Sequence, residues 1–310
     1  MDYYNRISDN LLIRTPIPYT AGITEDPTVN LGSIRNSGFE FAITTQNTTG
    51  DFLWTTNFNI TFNENEVLDI GTNAVGDPLE IPGEQIPLGG HLVNLTVVGR
   101  PVGAFYMYEF DGVWQLEEEA EAAGFGSVPG DAKYVDNNGN GRVDDGDRTF
   151  VGNPTPTFFG GITNTFEYKG FTLTAFLNYS GGNQLFNGAR HLFARSVPFV
   201  QNLAEVADFW TPENPSNIPR PSQGGDAAYT TFLSTIASTR FLEEASFLRL
   251  QNISLSYNMP STITDPLNIS NLRFTLTGNN LFTWTNYEGY DPESSSYSSL
   301  LSAGQDLTPY

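Results

Sequence analysis

The stretch Asp51-Phe52-Leu53-Trp54-Thr55-Thr56-Asn57-Phe58-Asn59-Ile60-Thr61-Phe62 decides how the chain is read. Phe52, Trp54, Phe58, Ile60 and Phe62 recur in one phase, and Leu53, Thr55, Asn57, Asn59 and Thr61 fill the other. Successive side chains of a strand point to opposite faces, so this alternation describes a strand with one greasy face and one polar face. Just before it, Gly38 to Gln46 sets Phe39, Phe41 and Ile43 against Glu40, Ala42 and Thr44, and Asn47-Thr48-Thr49-Gly50 supplies a turn between the two runs. Together they predict a β-hairpin.

The pattern recurs at Phe158 to Tyr168 and at Phe171 to Tyr179, two runs separated only by Lys169-Gly170. It returns at Phe247 to Tyr257 and at Leu272 to Asn280. Each run is about ten residues long, the length a tilted strand needs to cross a bilayer. The positions opposite the apolar ones carry Thr, Asn and Ser rather than Lys and Glu, as expected where strands line a wet lumen. Tight turns at Asn47 to Gly50 and Lys169-Gly170 contrast with the long connections Asn63 to Leu95, Asp111 to Thr157 and Gly181 to Ala245. Short turns at one end and long loops at the other are how bacterial outer-membrane barrels are built. The expected fold is therefore all-β, an antiparallel transmembrane β-barrel arrangement with about eight strands in this chain and long extracellular loops. Soluble sandwiches also alternate, since one face of each sheet packs on the core. The alternative is a secreted, calcium-stabilised β-sandwich that binds polysaccharide.

Composition narrows the partners. The chain has 310 residues, with 14 Lys and Arg against 35 Asp and Glu, a formal charge of −21. No nucleic acid is expected as a partner, because phosphate binding needs a positive surface. Charged residues make up only 16% while aromatics reach 13%, and cysteine is absent, which removes disulfides and thiolate chemistry. The longest apolar run, Ala104 to Tyr108, is far too short for a spanning helix, and Met1-Asp2-Tyr3-Tyr4-Asn5-Arg6 does not resemble a signal peptide. Helix is expected only at Leu116 to Ala123 and Val200 to Trp210.

The clearest chemical motif spans residues 136–147. Asp136-Asn137-Asn138-Gly139-Asn140-Gly141-Arg142-Val143-Asp144-Asp145-Gly146-Asp147 follows a twelve-residue calcium loop position by position. Asp136, Asn138, Asn140, Asp144 and Asp147 supply side-chain oxygens, Arg142 supplies its carbonyl, and Gly141 allows the sharp turn. Val143 is the apolar anchor. The last ligand is Asp rather than Glu, and full flanking helices are not evident, so the loop is closer to a dockerin-type variant than to a sensor hand. A structural Ca2+ is expected, set against a plain Asn/Gly/Asp turn.

No catalytic constellation emerges, and the chain is read as a non-enzyme. His91 and His191 both lie in loops, no Gly-x-Ser-x-Gly surrounds any serine, and no phosphate loop occurs. Glu243-Glu244 and Glu117 to Glu121 read as solvated surface. The Asn-x-Ser/Thr triplets at Asn59, Asn178 and Asn252 fall inside predicted strands. Aromatics at Phe105, Tyr106, Tyr108, Trp114, Trp210, Trp284, Tyr287 and Tyr290 are assigned to an interfacial girdle or to loop packing, ahead of sugar stacking.

Nine segments in order carry a family resemblance: Asp2-Tyr3-Tyr4-Asn5-Arg6, Asn30 to Glu40, Asn63-Glu64-Asn65-Glu66-Val67, Pro129 to Tyr134 running into the calcium-like loop and Asp147-Arg148, and Val151 to Pro156. They continue with Trp210-Thr211-Pro212-Glu213-Asn214-Pro215, Ser246 to Asn252, Gly278 to Trp284 and Tyr290-Asp291-Pro292-Glu293. In this order they resemble the C-terminal part of the barrel of a SusC/RagA-type TonB-dependent outer-membrane transporter. The resemblance implies residence in the cell outer membrane of a Bacteroidetes-like bacterium and import of oligosaccharides or peptides. It also implies a SusD-like surface lipoprotein as a lid, and energy from the TonB complex acting on a missing N-terminal region. The calcium-like loop would sit in an extracellular connection. Residues 1–310 are accordingly expected to be an incomplete barrel, lacking plug, TonB box, N-terminal strands and final strand, and facing outer-membrane lipid. Expressed alone, the chain should aggregate or require detergent; recovery of a soluble monomer that melts cooperatively would contradict the barrel.

Overall fold

The computed structural model describes residues 1–14, 28–30, 32–73, 75–86, 91–194, 202–221, 236–296 and 299–307. Seven long strands form one sheet: β1 (Asp2–Asp9), β2 (Ser33–Gln46), β3 (Phe52–Asp69), β4 (Phe158–Tyr168), β5 (Phe171–Gly181), β6 (Phe247–Asn258) and β7 (Arg273–Thr285). Each pairs antiparallel with its neighbour in sequence, so the sheet is a meander with β1 and β7 at its edges. The wall holds seven strands where about eight were expected. β3 and β7 run past their anticipated ends, to Asp69 and Thr285. A register shift between Leu250 and Asn252, with Asn280 opposite it at a φ of 50°, lets β7 continue beyond Asn280.

Register places the alternating residues as the sequence demands. Phe39 meets Phe62, Phe41 meets Ile60 and Ile43 meets Phe58, while Ile162 lies opposite both Phe58 and Leu177. Asn59, Asn178 and Asn252 share the other face, in β3, β5 and β6. The apolar face has no cover. Phe39 and Phe62 are each 50% exposed, Leu276 75% and Phe282 63%. A sandwich would bury this face, so the sandwich alternative is set aside by the placement of Phe52, Trp54 and Phe62, all exposed.

Rings gather at both ends of the apolar band. Beside the short turns, Trp54 stacks on Phe166 and Phe171 lies against Tyr257. Near the loops, Tyr3 meets Phe39, Phe62 meets Phe158 and Phe282 stacks on Trp284. Ten residue steps separate Phe52 from Phe62, roughly 33 Å at the strand rise, or about 25 Å of membrane thickness at a usual tilt. One apparent gap in the band, Gly160, is explained by Tyr179, whose ring lies across it and whose hydroxyl donates to the Asn59 carbonyl at 2.8 Å. A Cβ at Gly160 would sit 2.2 Å from that same carbonyl.

Burial is inverted relative to a soluble β protein. Most of the fully buried large side chains, Phe105, Phe186, Phe241, Ile86, Met107 and Ile236 among them, come from the connections between strands, while Val67 belongs to the far end of β3. One cluster joins Ile86, Val93, Phe105, Met107, Phe186 and Phe241; a second joins Tyr108, Ala132, Tyr134, Val143 and Ile236. Short sheets inside the connections, including Ala104–Met107 against Thr149–Gly152, give this loop layer its frame. Helix is sparse, as expected: the anticipated Leu116 to Ala123 segment is a 3-10 turn at Leu116–Glu118 followed by an α-helix at Glu119–Gly124. Of Val200 to Trp210, a 3-10 turn covers Ala204–Asp208, and residues 200 and 201 lie outside the described residues. The connection between β6 and β7 is longer than the other two at its end, holding short helical turns at Ser261–Thr264 and Asp265–Leu267.

In a bilayer, Ile60→Arg on the apolar face should cost about 2–4 kcal/mol of membrane stability, and Asn59→Arg on the polar face should cost little. Urea titration of the two variants in lipid vesicles distinguishes them.

Candidate functional site

The polar face of the sheet and the loop layer meet around Arg249 of β6. Its side chain is 11% exposed and donates through Nη1 to Glu293 and through Nη2 to Asp291, each at 2.6 Å. Its Nε donates to Thr283 of β7 at 3.0 Å, and its guanidinium lies 5.1 Å from the Phe247 ring. Both carboxylates belong to the segment following β7, so Arg249 ties that segment back over the wall. Beside the tie, Asn59, Phe159, Phe176, Asn178, Phe247 and Glu293 line a hollow of about 390 Å³.

A second tie lies deeper in the loops. Arg190, in the short helix Gly188–Phe193, holds Glu205 in a two-pronged pair at 3.0 and 2.8 Å and reaches Glu243 at 3.2 Å. Glu243 also accepts from Asn187 and from the Glu288 backbone N–H. The Arg190 hydrogen bond holds Glu205 below the ordinary carboxylate range, and Arg190 is correspondingly shifted up. On the other flank, Lys133 donates to Glu118 at 2.7 Å and lies over the Trp114 ring, and the hydrogen bond lowers the Glu118 pKa. Glu243 and Glu118, which read as solvated surface in sequence, are thus partners of internal cations.

The 136–147 loop folds tightly on itself. Asp136 accepts from the backbone N–H groups of Gly139, Asn140 and Gly141, at 2.7, 3.2 and 2.8 Å. Asp147, completely buried, accepts from Asn138 and Asp144 backbone N–H groups. Asp144 accepts from Gly146 N–H and from the side-chain amides of Asn138 and Asn140, while the Asn140 oxygen accepts from Arg142 N–H. Gly141 adopts a φ of 77°, a left-handed conformation, as the sharp turn requires. These donations, Gly141 first for Asp136 and Gly146 first for Asp144, lower both carboxyl pKa values. Val143 is buried with Tyr108 and Tyr134, and Tyr108 donates to Asp145 at 3.1 Å, so the loop is anchored to the layer beneath it. Among the described residues, no group of three or more His, Asp or Glu side chains forms a ready-made metal cluster. The side chains of Asp136, Asn138, Asn140, Asp144 and Asp147 gather in one turn, with the Asn138 and Asn140 amide nitrogens directed at Asp144.

Other singled-out residues sort by position. His191 is buried and its ring lies 6.3 Å from that of His91, edge-on. Trp114, Phe105, Tyr108 and Trp210 are buried in loop packing, with Trp210 Nε1 donating to Gln115. Tyr287 is buried and donates to Asp306 at 2.7 Å. Trp284 lies on the outward face, and Tyr290 is 76% exposed. The arginine ties carried no signal in sequence, because Arg249 stands 42 residues from Asp291 and Arg190 stands 53 from Glu243.

Comparison with known proteins accounts for this architecture. The chain is 34% identical over 303 residues to TonB-dependent receptor P26 of Formosa agariphila, a match covering 96% of this chain and 29% of that protein. It is 29% identical over 313 residues to TonB-dependent receptor SusC of Bacteroides thetaiotaomicron, covering 100% of this chain and 28% of SusC. In structure it superposes on a chain of the RagAB peptide transporter with a TM-score of 0.76 at 23% identity, covering 94% of this chain and 30% of that one. Its relatives are TonB-dependent receptors. No family profile matches the sequence. The chain spans 29% of the length of the P26 receptor and 28% of the Formosa receptor P3, less than a third of either. The resemblance expected from the nine segments is therefore borne out, as is the antiparallel barrel-type fold. These relatives are receptors and transporters rather than enzymes, and the likeness places the chain in the cell outer membrane, in agreement with its exposed apolar band.

Arg249→Ala should free the segment around Asp291 and Glu293, raising its cleavage rate by limiting protease roughly tenfold, the equivalent of about 1.4 kcal/mol. Glu118 and Glu205 have folded pKa values below the ordinary 4.5, so their stabilising contribution is full above that value and is lost as pH falls through the lowered ones. Protection factors of the loop-layer amides, each referred to the intrinsic exchange rate at its own pH, should be high at pH 7 and fall as the pH is lowered through the carboxylate range.

Proposed function

We propose that this chain forms a C-terminal part of the wall and outer loops of a TonB-dependent importer of oligosaccharides or peptides. The observation that carries the reading is the inverted burial: the apolar face of the meander is bare while the packed core sits in the connections. Such a surface is stable only against lipid, with the Thr/Asn/Ser face toward a wet lumen. The free edges β1 and β7 would pair with further strands of the same barrel. The likeness to SusC and to RagAB supports a SusD-like lipoprotein seated on the loop layer, with TonB acting through a region outside residues 1–310. Deleting the gene should abolish growth on the imported nutrient, and a complemented strain should restore it. Retained growth of the deletion strain on every oligosaccharide and peptide source tested would refute import.

The 136–147 loop supports a second element of the proposal, a structural Ca2+ held by Asp136, Asn138, Asn140, the Arg142 carbonyl, Asp144 and Asp147. The ion would add charge-neutralising bonds to a turn that already gathers these side chains, once the Asn138 and Asn140 amides turn their oxygens to it, and Val143 would pass that rigidity to the Tyr108 and Tyr134 cluster. Tyr108 lies close enough to sensitise bound Tb3+. The complete receptor should show Tb3+ luminescence displaced by Ca2+, and Asp136→Ala with Asp147→Ala should remove it. Calcium at 100 times its Kd should add about 2.7 kcal/mol of stability, lost on chelation.

A further inference from the structure

We infer that the hollow on the inward face of the wall, at Asn59, Phe159, Phe176 and Asn178, is a subsite for a neutral sugar ring. The inference rests on the import reading and deepens it by choosing oligosaccharides as the substrate class. The hollow has a volume of about 390 Å³, within the range of small-ligand sites. Apart from Glu293, every residue lining it lies in β3, β4, β5 or β6, so the wall itself builds the place.

Two departures from the rest of the polar face mark it. The first is aromatic. Phe159 and Phe176 stand in the phase that mostly carries Thr, Asn and Ser, and Phe159 is 45% exposed. Lipid accounts for bare rings on the outward face, but it does not reach these. Between Asn59 and Asn178 the wall has Gly161, paired with both, and the Phe176 ring takes the space of its missing side chain. A Cβ at Gly161 would lie 2.7 Å from that ring. Phe247, opposite Ser180, adds a third ring. The second departure is in hydrogen bonding. Asn57 accepts from Thr44, Asn65 donates to Asn36 and Asn252 donates to Asn279, so other asparagines of this face are tied across strands. Asn59 and Asn178 make no side-chain hydrogen bond among the described residues, and Asn178 Oδ1 is buried without a partner.

Together these features select one ligand chemistry. A pyranose has an apolar C–H face that packs on an aromatic ring, and an edge of hydroxyls that each donate and accept. Each Asn amide likewise carries donors and an acceptor. Asn59 and Asn178 stand two strand spacings apart, about 10 Å, so a sugar laid over Phe176 would meet one amide at each end. Glu293 supplies a further acceptor at the loop end. An apolar peptide side chain in the same place would cover both amides and return no hydrogen bond. Arg249 already holds both Asp291 and Glu293, so a charged sugar would enter without a counter-charge.

The test uses the complete receptor in detergent, a panel of neutral pentasaccharides of α- and β-linked glucose, xylose and mannose, and a Gly-Phe-Gly-Phe-Gly peptide as competitor. At least one pentasaccharide should bind. Its Kd should rise about tenfold in Phe159→Ala and about fivefold in Asn59→Ala. Both positions are exposed, so the urea midpoints of these variants should match that of the unaltered receptor. Phe159→Tyr keeps a ring at the same place and should hold the affinity within about twofold. Failure of every pentasaccharide to bind, unchanged affinity in both alanine variants, or displacement by the Phe peptide at equal affinity overturns the inference. The import reading would survive each of these results, because it fails only if the gene deletion leaves nutrient growth intact.

Discussion

A backbone that crosses hydrocarbon must satisfy every N–H and C=O internally, and the rest of this structure depends on that constraint. Between its two edges the seven-stranded meander meets it by pairing each strand with its sequence neighbour, eleven register pairs between β3 and β4 alone. Once the ladder is fixed, side chains are sorted to two faces with no freedom left. A one-residue slip of any strand would put Asn59 or Asn178 into lipid and Phe58 or Leu177 into the lumen. Hydrophobic burial on the outward face is then supplied by the membrane itself, which explains why Phe62 and Leu276 lie bare.

Packing of the familiar kind is displaced into the loops. The connections carry Phe105, Phe186 and Phe241 into one cluster and Tyr108, Tyr134 and Val143 into another, and short internal sheets satisfy their backbone. Arg249 and Arg190 fasten this layer, the first to the wall and the second to itself. Long acidic loops held by a few partly buried arginines form a surface whose charge is locally organised: Arg190 alone gathers Glu205, Glu243 and Glu288. The −21 charge of the chain is therefore a distribution of sites rather than a uniform field.

The residues that sequence reasoning found and those it missed differ in one respect, the distance over which the signal acts. Period-two alternation and turn length are local, and six of the seven strands and the hairpin at Asn47 to Gly50 were legible from them; the ring belts were not, since Phe105, Tyr108, Trp114, Trp210 and Tyr287, assigned to a girdle or to loop packing, are buried in the loops. The twelve-residue loop is local too, and its sharp turn at Gly141 and its buried Val143 appear where the spacing puts them. Glu243 reads as half of a surface pair because nothing nearby in sequence announces Arg190. Trp114 and Trp210 give no hint of burial until the loops that cover them are placed.

The sequence by itself determined the sheet: its strands, its two faces, its membrane-spanning length and its family likeness, because each is encoded in residues a few positions apart. Only the tertiary structure decided which carboxylates are paired, which aromatics are buried, and where a cavity opens beside Arg190. Those depend on contacts between residues tens of positions apart, brought together by long connections whose paths no local pattern specifies.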